Sequence, residues 1–242
     1  MKSNGVKIKQ LFHLRNLTVL VTVNLIFMLT VCNNDYGQGF WDLSELLNVT
    51  LVNLLLFVPV CVFLICLFFH DSTAYQIRFE SKAKWLHNES NIIMMVLLGY
   101  TVCHVVIACL SVIIGNWIQY GHIAVTRAIV CGILFYFLSQ WIFVAMIFFM
   151  MLSLYLSVIP KMHQCGFIAV IIIALLYLTE IVTSRNGFIT PAMLMDLSLS
   201  EHIIRLMPCF LLLLLNITVY QYVAKERSLY VKAMVHCHAA KL

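Results

Sequence analysis

Polar side chains inside long apolar stretches are the first candidates for chemistry in this chain. In a membrane-spanning helix such a side chain is costly to bury, so it marks either a functional pathway or a contact between helices. Both roles stay open for each member of this set: Asn24, Asn53, His104, Gln140 and Asn216.

Sequence patterns for catalysis are absent from the chain. No glycine pattern followed by Lys and Ser or Thr predicts a phosphate-binding loop, and neither H-E-x-x-H nor G-x-S-x-G occurs. The His236-Cys237-His238 stretch lacks a second ligand cluster at zinc spacing. We therefore expect no catalytic residue, no metal site and no cofactor on this chain, and no enzyme activity of its own.

The composition is that of a membrane protein. Of 242 residues, 63% are hydrophobic and only 10% are charged, whereas a soluble domain carries about 25% charged residues. Most of the nine cysteines lie within apolar runs, where thiols behave as small hydrophobic groups. The sequence predicts an all-α, polytopic membrane protein with a single domain over residues 1–242.

A crossing helix takes about 20 residues, and six apolar stretches are interpreted as crossings, the first of them short. We predict crossings at about 17–32, 50–69, 92–114, 128–159, 167–182 and 206–223. A break of the long fourth stretch at Ser139-Gln140 would give seven crossings. One long helix is preferred, because a seventh crossing would move the basic C-terminal tail to the outside and violate the charge rule.

Charge asymmetry predicts the orientation. With both termini in the cytoplasm, twelve of the fifteen cationic residues lie inside, and only Arg127, Arg185 and Arg205 lie outside or at outer helix ends. The N-terminal stretch Lys7–Arg15 has apolar residues at i, i+3 and i+4 with cations opposite. This pattern predicts a short helix in the membrane interface, with a solvated basic lead-in as the alternative.

The polar segment Asp71–Asn88 separates the second and third crossings and is longer than a simple connection needs. Written as a helix, it places Tyr75, Phe79 and Leu86 on one face, with Arg78 and Lys82 as i, i+4 neighbours. We predict an amphipathic helix on the cytoplasmic side that docks a partner. A basic loop that only sets orientation is the alternative.

These features resemble a small permease subunit of the type-2 exporter class of ABC transporters, of the six-helix Gram-positive type. The resemblance covers most of the chain: an interfacial N-terminal helix, six crossings, a cytoplasmic segment between crossings two and three, and a longer outer connection over Thr183–His202. Within the segment, Q-I-R-F-E-S-K-A-K-W is similar to a short family motif at Arg78, Ser81 and Trp85.

The resemblance implies a coupling helix that seats on separate ATP-binding cassette ATPase subunits, which would bind ATP and Mg. It also implies a second permease copy or a sister permease, a lipid environment in a bacterial cell membrane, and no nucleic acid. The implied substrates are bacteriocin-like peptides, antibiotics or lipid-like molecules, with export or immunity as the outcome. The coupling contacts implied are Tyr75, Arg78, Phe79, Ser81, Lys82 and Trp85.

The alternative function is a substrate-binding membrane module or a membrane sensor without export activity. Such a protein needs a defined ligand pocket and does not need an amphipathic helix between its second and third crossings. A membrane-embedded enzyme would need convergent His, Glu or Cys residues at one depth, and the sequence does not predict them.

Overall fold

The structure, a computed structural model, describes Thr22 and residues 57–70, 79, 82–120, 127–159, 161–183 and 199–239. Within these residues all regular secondary structure is helical, as the composition predicts. The predicted interfacial helix and the predicted first crossing fall outside the described residues, apart from the helical Thr22.

Five helices make up the described part of the chain. They are α1 (Val58–Phe68), α2 (Lys82–Tyr120), α3 (Arg127–Ser157), α4 (Met162–Val182) and α5 (Leu199–Ala239). Pro59 lies at the first positions of α1, where a proline removes no intrahelical hydrogen bond. It therefore does not kink the described helix.

Four of these helices are long and apolar enough to cross a membrane. The crossing stretches are Lys82–Leu110, Val130–Ser157, Met162–Glu180 and Ile203–Lys225, and α1 is a shorter apolar helix. These helices indicate a membrane protein. Six crossings and a separate coupling helix remain predictions, because the described residues include only part of the sequence that would form them.

Helix α3 is one continuous helix through Ser139 and Gln140, in line with the preferred single long helix. It contacts all four other described helices. Its inward residues, such as Phe143, Ile147 and Met151, are fully buried. The hydrophobic core of the described bundle is therefore arranged around α3.

Helix α5 is the most exposed of the four crossing helices. It contacts α3, but only a small part of its apolar crossing stretch is buried. Large apolar side chains such as Ile204, Leu211 and Leu215 are exposed along it. Because a bilayer accommodates apolar surface that water would not, this exposure agrees with a membrane environment.

Gly166 lies where α4 packs against α1. A Cβ atom on this residue would lie 2.6 Å from Val62 Cγ1, 3.3 Å from Met151 Cε and 3.4 Å from Cys66 Sγ. Small residues at such positions let helix backbones approach in a membrane, where packing is a main source of helix association. The missing side chain of Gly166 therefore leaves room for Val62 of α1 at this point.

Candidate functional site

The proposed coupling residues occupy different environments where the structure describes them. Tyr75, Arg78 and Ser81 lie outside the described residues. Phe79 is half-buried against the core, Lys82 is exposed and Trp85 is fully buried. In this conformation Trp85 has no surface to offer a partner, and its role in coupling stays a prediction.

The second half of the polar segment is not a separate surface helix. Lys82–Asn88 forms the first turns of α2, which continues without interruption into the third predicted crossing. The helix therefore begins ten residues before the predicted crossing at about 92–114, and the point at which it enters the membrane stays a prediction. The physical reason is that a helix satisfies its own backbone hydrogen bonds in water as well as in lipid, so it does not end where the apolar run ends.

Three aromatic rings, which we call the aromatic anchor, lie together where the polar segment joins the helix bundle. Phe69 follows α1 directly, and its ring lies 5.5 Å from the ring of Trp85 and 4.9 Å from that of Tyr155, centroid to centroid. The contact with Tyr155 is edge-to-face, a favoured arrangement of aromatic pairs. The anchor thereby joins the end of α1, the start of α2 and the end of α3.

A buried carboxylate ties the same region together. Glu89 is fully buried on α2, and its Oε2 accepts a hydrogen bond of 3.2 Å from the backbone N–H of His70. The Nδ1 atom of His70 lies 3.9 Å from the same oxygen and 2.9 Å from the carbonyl oxygen of Phe68. Residues 70 and 89 are thus held together.

Removal of the Glu89 carboxylate is expected to weaken the contact between the end of α1 and the start of α2. A hydrogen bond to a charged group contributes about 1.5–3 kcal/mol, so Glu89→Ala should raise the population of locally opened molecules by at least about tenfold. Limited trypsin digestion of the purified protein in detergent measures this as faster cleavage after Arg78 and Lys82.

Two controls show whether a change in the cleavage rate comes from the contact made by Glu89. Cleavage after the exposed Lys161, which lies between α3 and α4, should keep its rate in Glu89→Ala. Glu89→Gln retains an acceptor oxygen and should stay close to the original chain. Equal cleavage rates in all three proteins would show that Glu89 does not hold the segment.

The polar residues predicted to line a pathway do not share one environment. The His104 ring is fully buried on α2 and lies 4.7 Å from that of Phe57. Gln140 is fully buried on α3 and donates its Nε2 hydrogen to the Tyr136 hydroxyl. Asn216 on α5 donates to the Leu212 carbonyl oxygen at 2.9 Å, a local bond that a packing role explains. Asn24 and Asn53 fall outside the described residues.

Two buried carboxylates were missed as site residues by the sequence interpretation. They are Glu89 on α2 and Glu180 on α4. A helical pattern extended upstream of Ile92 would have placed Glu89 on the buried face, four residues after Trp85 and four before Ile93.

Within the described residues, no group of three or more His, Cys, Asp or Glu side chains is arranged to hold a metal ion. Comparison with protein-family models, with curated proteins and with solved structures gives no match for this chain.

Proposed function

We propose that this chain is the membrane-spanning permease subunit of an ATP-driven exporter. It would move a bacteriocin-like peptide, an antibiotic or a lipid-like substrate, or give immunity to it, together with a second permease. ATP and Mg would bind to separate ATP-binding cassette ATPase subunits. The observation that carries the proposal is that the aromatic anchor and the Glu89–His70 bond hold the polar segment to the helix bundle where α1 ends and α2 begins.

A coupling element must receive force from its partner and pass it to several helices at once. The segment meets the second requirement, since the aromatic anchor and the Glu89–His70 bond connect its two ends to α1, α2 and α3. Lys82 and Lys84 are exposed at the start of α2, where an acidic groove on an ATPase would meet them. In this proposal Trp85 transmits movement from inside the bundle, and the surface contacts belong to Tyr75, Arg78, Phe79, Ser81 and Lys82.

The distribution of exposed cations supports a cytoplasmic position for this end of the bundle. Contacts among Phe69, Trp85 and Tyr155 bring the end of α1, the start of α2 and the end of α3 together. Exposed cations at this end include Lys82, Lys84 and Lys161. Under the positive-inside rule we assign this end, and both termini, to the cytoplasm of a bacterial cell.

The test is a double charge reversal, Arg78→Glu with Lys82→Glu, in the full chain. The tagged chain is purified from its own cells, and the recovery of an ATP-binding cassette protein with it is measured. We expect membrane insertion to be retained and pairing to fall at least tenfold, because like charges across an interface cost several kcal/mol.

A matched control reverses Lys161 and Lys225, two exposed cations outside the segment, and should leave pairing close to normal. Undiminished pairing in the Arg78 and Lys82 variant would remove the coupling role. The alternative of a binding module or sensor without export activity would then be favoured.

A further inference from the structure

Sulfur-bearing side chains from three helices lie together where α1 packs against α4. The Sγ atom of Cys66, on α1, donates a hydrogen bond of 3.7 Å to the carbonyl oxygen of Met162. The same Sγ lies 3.4 Å from the point that a Cβ on Gly166 would occupy, and the Cε atom of Met151, on α3, lies 3.3 Å from that point. A thiol of α1 and a thioether of α3 are therefore neighbours at one position on α4.

A second thiol belongs to the same turn of α4. Cys165 directly precedes Gly166 and is fully buried, and its Sγ donates a hydrogen bond of 3.6 Å to the carbonyl oxygen of Ile159. Cys66 contacts the two residues of α4 that flank Cys165 on this turn, and the two thiols interact electrostatically. We call Cys66, Met151 and Cys165 the sulfur cluster.

The sulfur cluster lies near one end of the bundle and is open to small ions. Cys66 is in the last turn of α1, and Cys165 is in the first turns of α4, at the end that the charge rule assigns to the cytoplasm. Cytoplasmic thiols stay reduced, and both cysteines are free thiols. Cys66 is only half-buried, so a small ion can reach the cluster from its side.

The ligand atoms indicate the class of ion. Thiolate and thioether sulfur are soft ligands that select Cu(I) among common metal ions. One thiolate compensates the charge of a monovalent ion, and an uncompensated charge is costly within a crossing stretch. Zn(II) usually takes four ligands, and the described residues offer no group of three or more His, Cys, Asp or Glu side chains for it. The sulfur cluster therefore fits a soft monovalent ion better than a zinc ion.

We propose that the sulfur cluster binds Cu(I) through the thiols of Cys66 and Cys165 and the thioether of Met151. The ion replaces thiol protons, which pass to water, and it joins α1, α3 and α4. This inference goes beyond the proposed function, since the site needs neither a second permease nor an ATPase.

The experiment follows thermal unfolding of the purified full chain in detergent, without oxygen, by intrinsic tryptophan fluorescence. Cu(I) is added as its acetonitrile complex and buffered with the chelator bathocuproine disulfonate. We expect the apparent Tm to rise in a saturable way by a few degrees, because an ion that binds the folded chain more tightly than the unfolded chain stabilises it. A Tm that does not respond to Cu(I) in the original chain overturns the proposal.

Variants test whether the response comes from the sulfur cluster. Cys66→Ser should abolish the rise, whereas Cys103→Ser, which removes an exposed thiol on α2, should keep it. A rise that persists in Cys66→Ser overturns the proposal. A rise of equal size with Zn(II) that also depends on Cys66 overturns the assignment to a soft monovalent ion.

Met151→Leu keeps the test decisive if Cys66→Ser does not fold. Leucine nearly conserves the volume of methionine, so the core should tolerate it, but it removes the thioether. We expect the half-saturating concentration of free Cu(I) to rise at least about tenfold, because even the outer partners of a metal site are worth about 10–100-fold in affinity. An unchanged half-saturating concentration also overturns the proposal.

Discussion

Trp85→Ala is expected to lower the free energy of unfolding in detergent by about 3 kcal/mol. The indole is fully buried against Phe69, and its removal leaves a cavity between the ends of α1, α2 and α3. Large aromatic residues cost about 3–5 kcal/mol when truncated to alanine in a core. We take the lower end, because lipid-facing bundles depend less on the transfer of apolar groups from water.

Trp117→Ala is the matched control for this prediction. Trp117 lies on the same helix α2 but is 62% exposed, so its truncation should change the unfolding free energy by less than about 1 kcal/mol. Both variants are compared by SDS titration of the detergent-solubilised protein. If Trp85→Ala left stability unchanged and only weakened pairing with an ATPase, then Trp85 would be a surface contact rather than part of the aromatic anchor.

Gly166→Ala is expected to destabilise the bundle by about 1–3 kcal/mol, the usual cost of overpacking a core. The new methyl group would lie 2.6 Å from Val62 Cγ1, and the side chain of a valine has few alternative rotamers in a helix. Helices α1 and α4 must therefore separate, or Val62 must leave its preferred conformation. Thermal unfolding in detergent measures the loss.

Two further variants test whether the clash with Val62 causes the loss of stability in Gly166→Ala. Gly99→Ala places a methyl group on α2 where nothing lies within 4 Å, so it should be neutral or stabilise by up to about 1 kcal/mol through helix propensity. Val62→Ala removes the atom that clashes and should restore most of the loss when combined with Gly166→Ala. Additive losses in the double variant would contradict a contact between these two positions.

The helix positions were largely predictable from hydropathy, and the helix ends were not. The apolar stretch at 128–159 appears as α3 (Arg127–Ser157), and that at 167–182 ends within α4 at Val182. Helix α2 begins at Lys82, ten residues before the predicted start, and α5 extends from Leu199 to Ala239. Hydropathy reports the part of a helix that lipid can surround, whereas backbone hydrogen bonding decides where the helix ends.

The residues of the candidate sites were predictable only in part. The sequence predicted Trp85 as a coupling contact and Gln140 as a pathway or packing residue, and the structure buries both. The core position of Trp85 depends on Phe69 and Tyr155, which are far from each other along the chain. No local pattern predicts a contact of that kind.

By itself, the amino-acid sequence determined that this is a helical membrane protein. Apolar runs of this length and low charge are stable as helices within a membrane and would be too apolar to remain in water. The tertiary structure decided which polar groups from separate helices meet, as Glu89 on α2 does with the backbone of His70 after α1. The reason is physical. Composition sets the solvent that a helix prefers, whereas its rotation and its contacts with other helices, as at Gly166, arise only when the helices pack together.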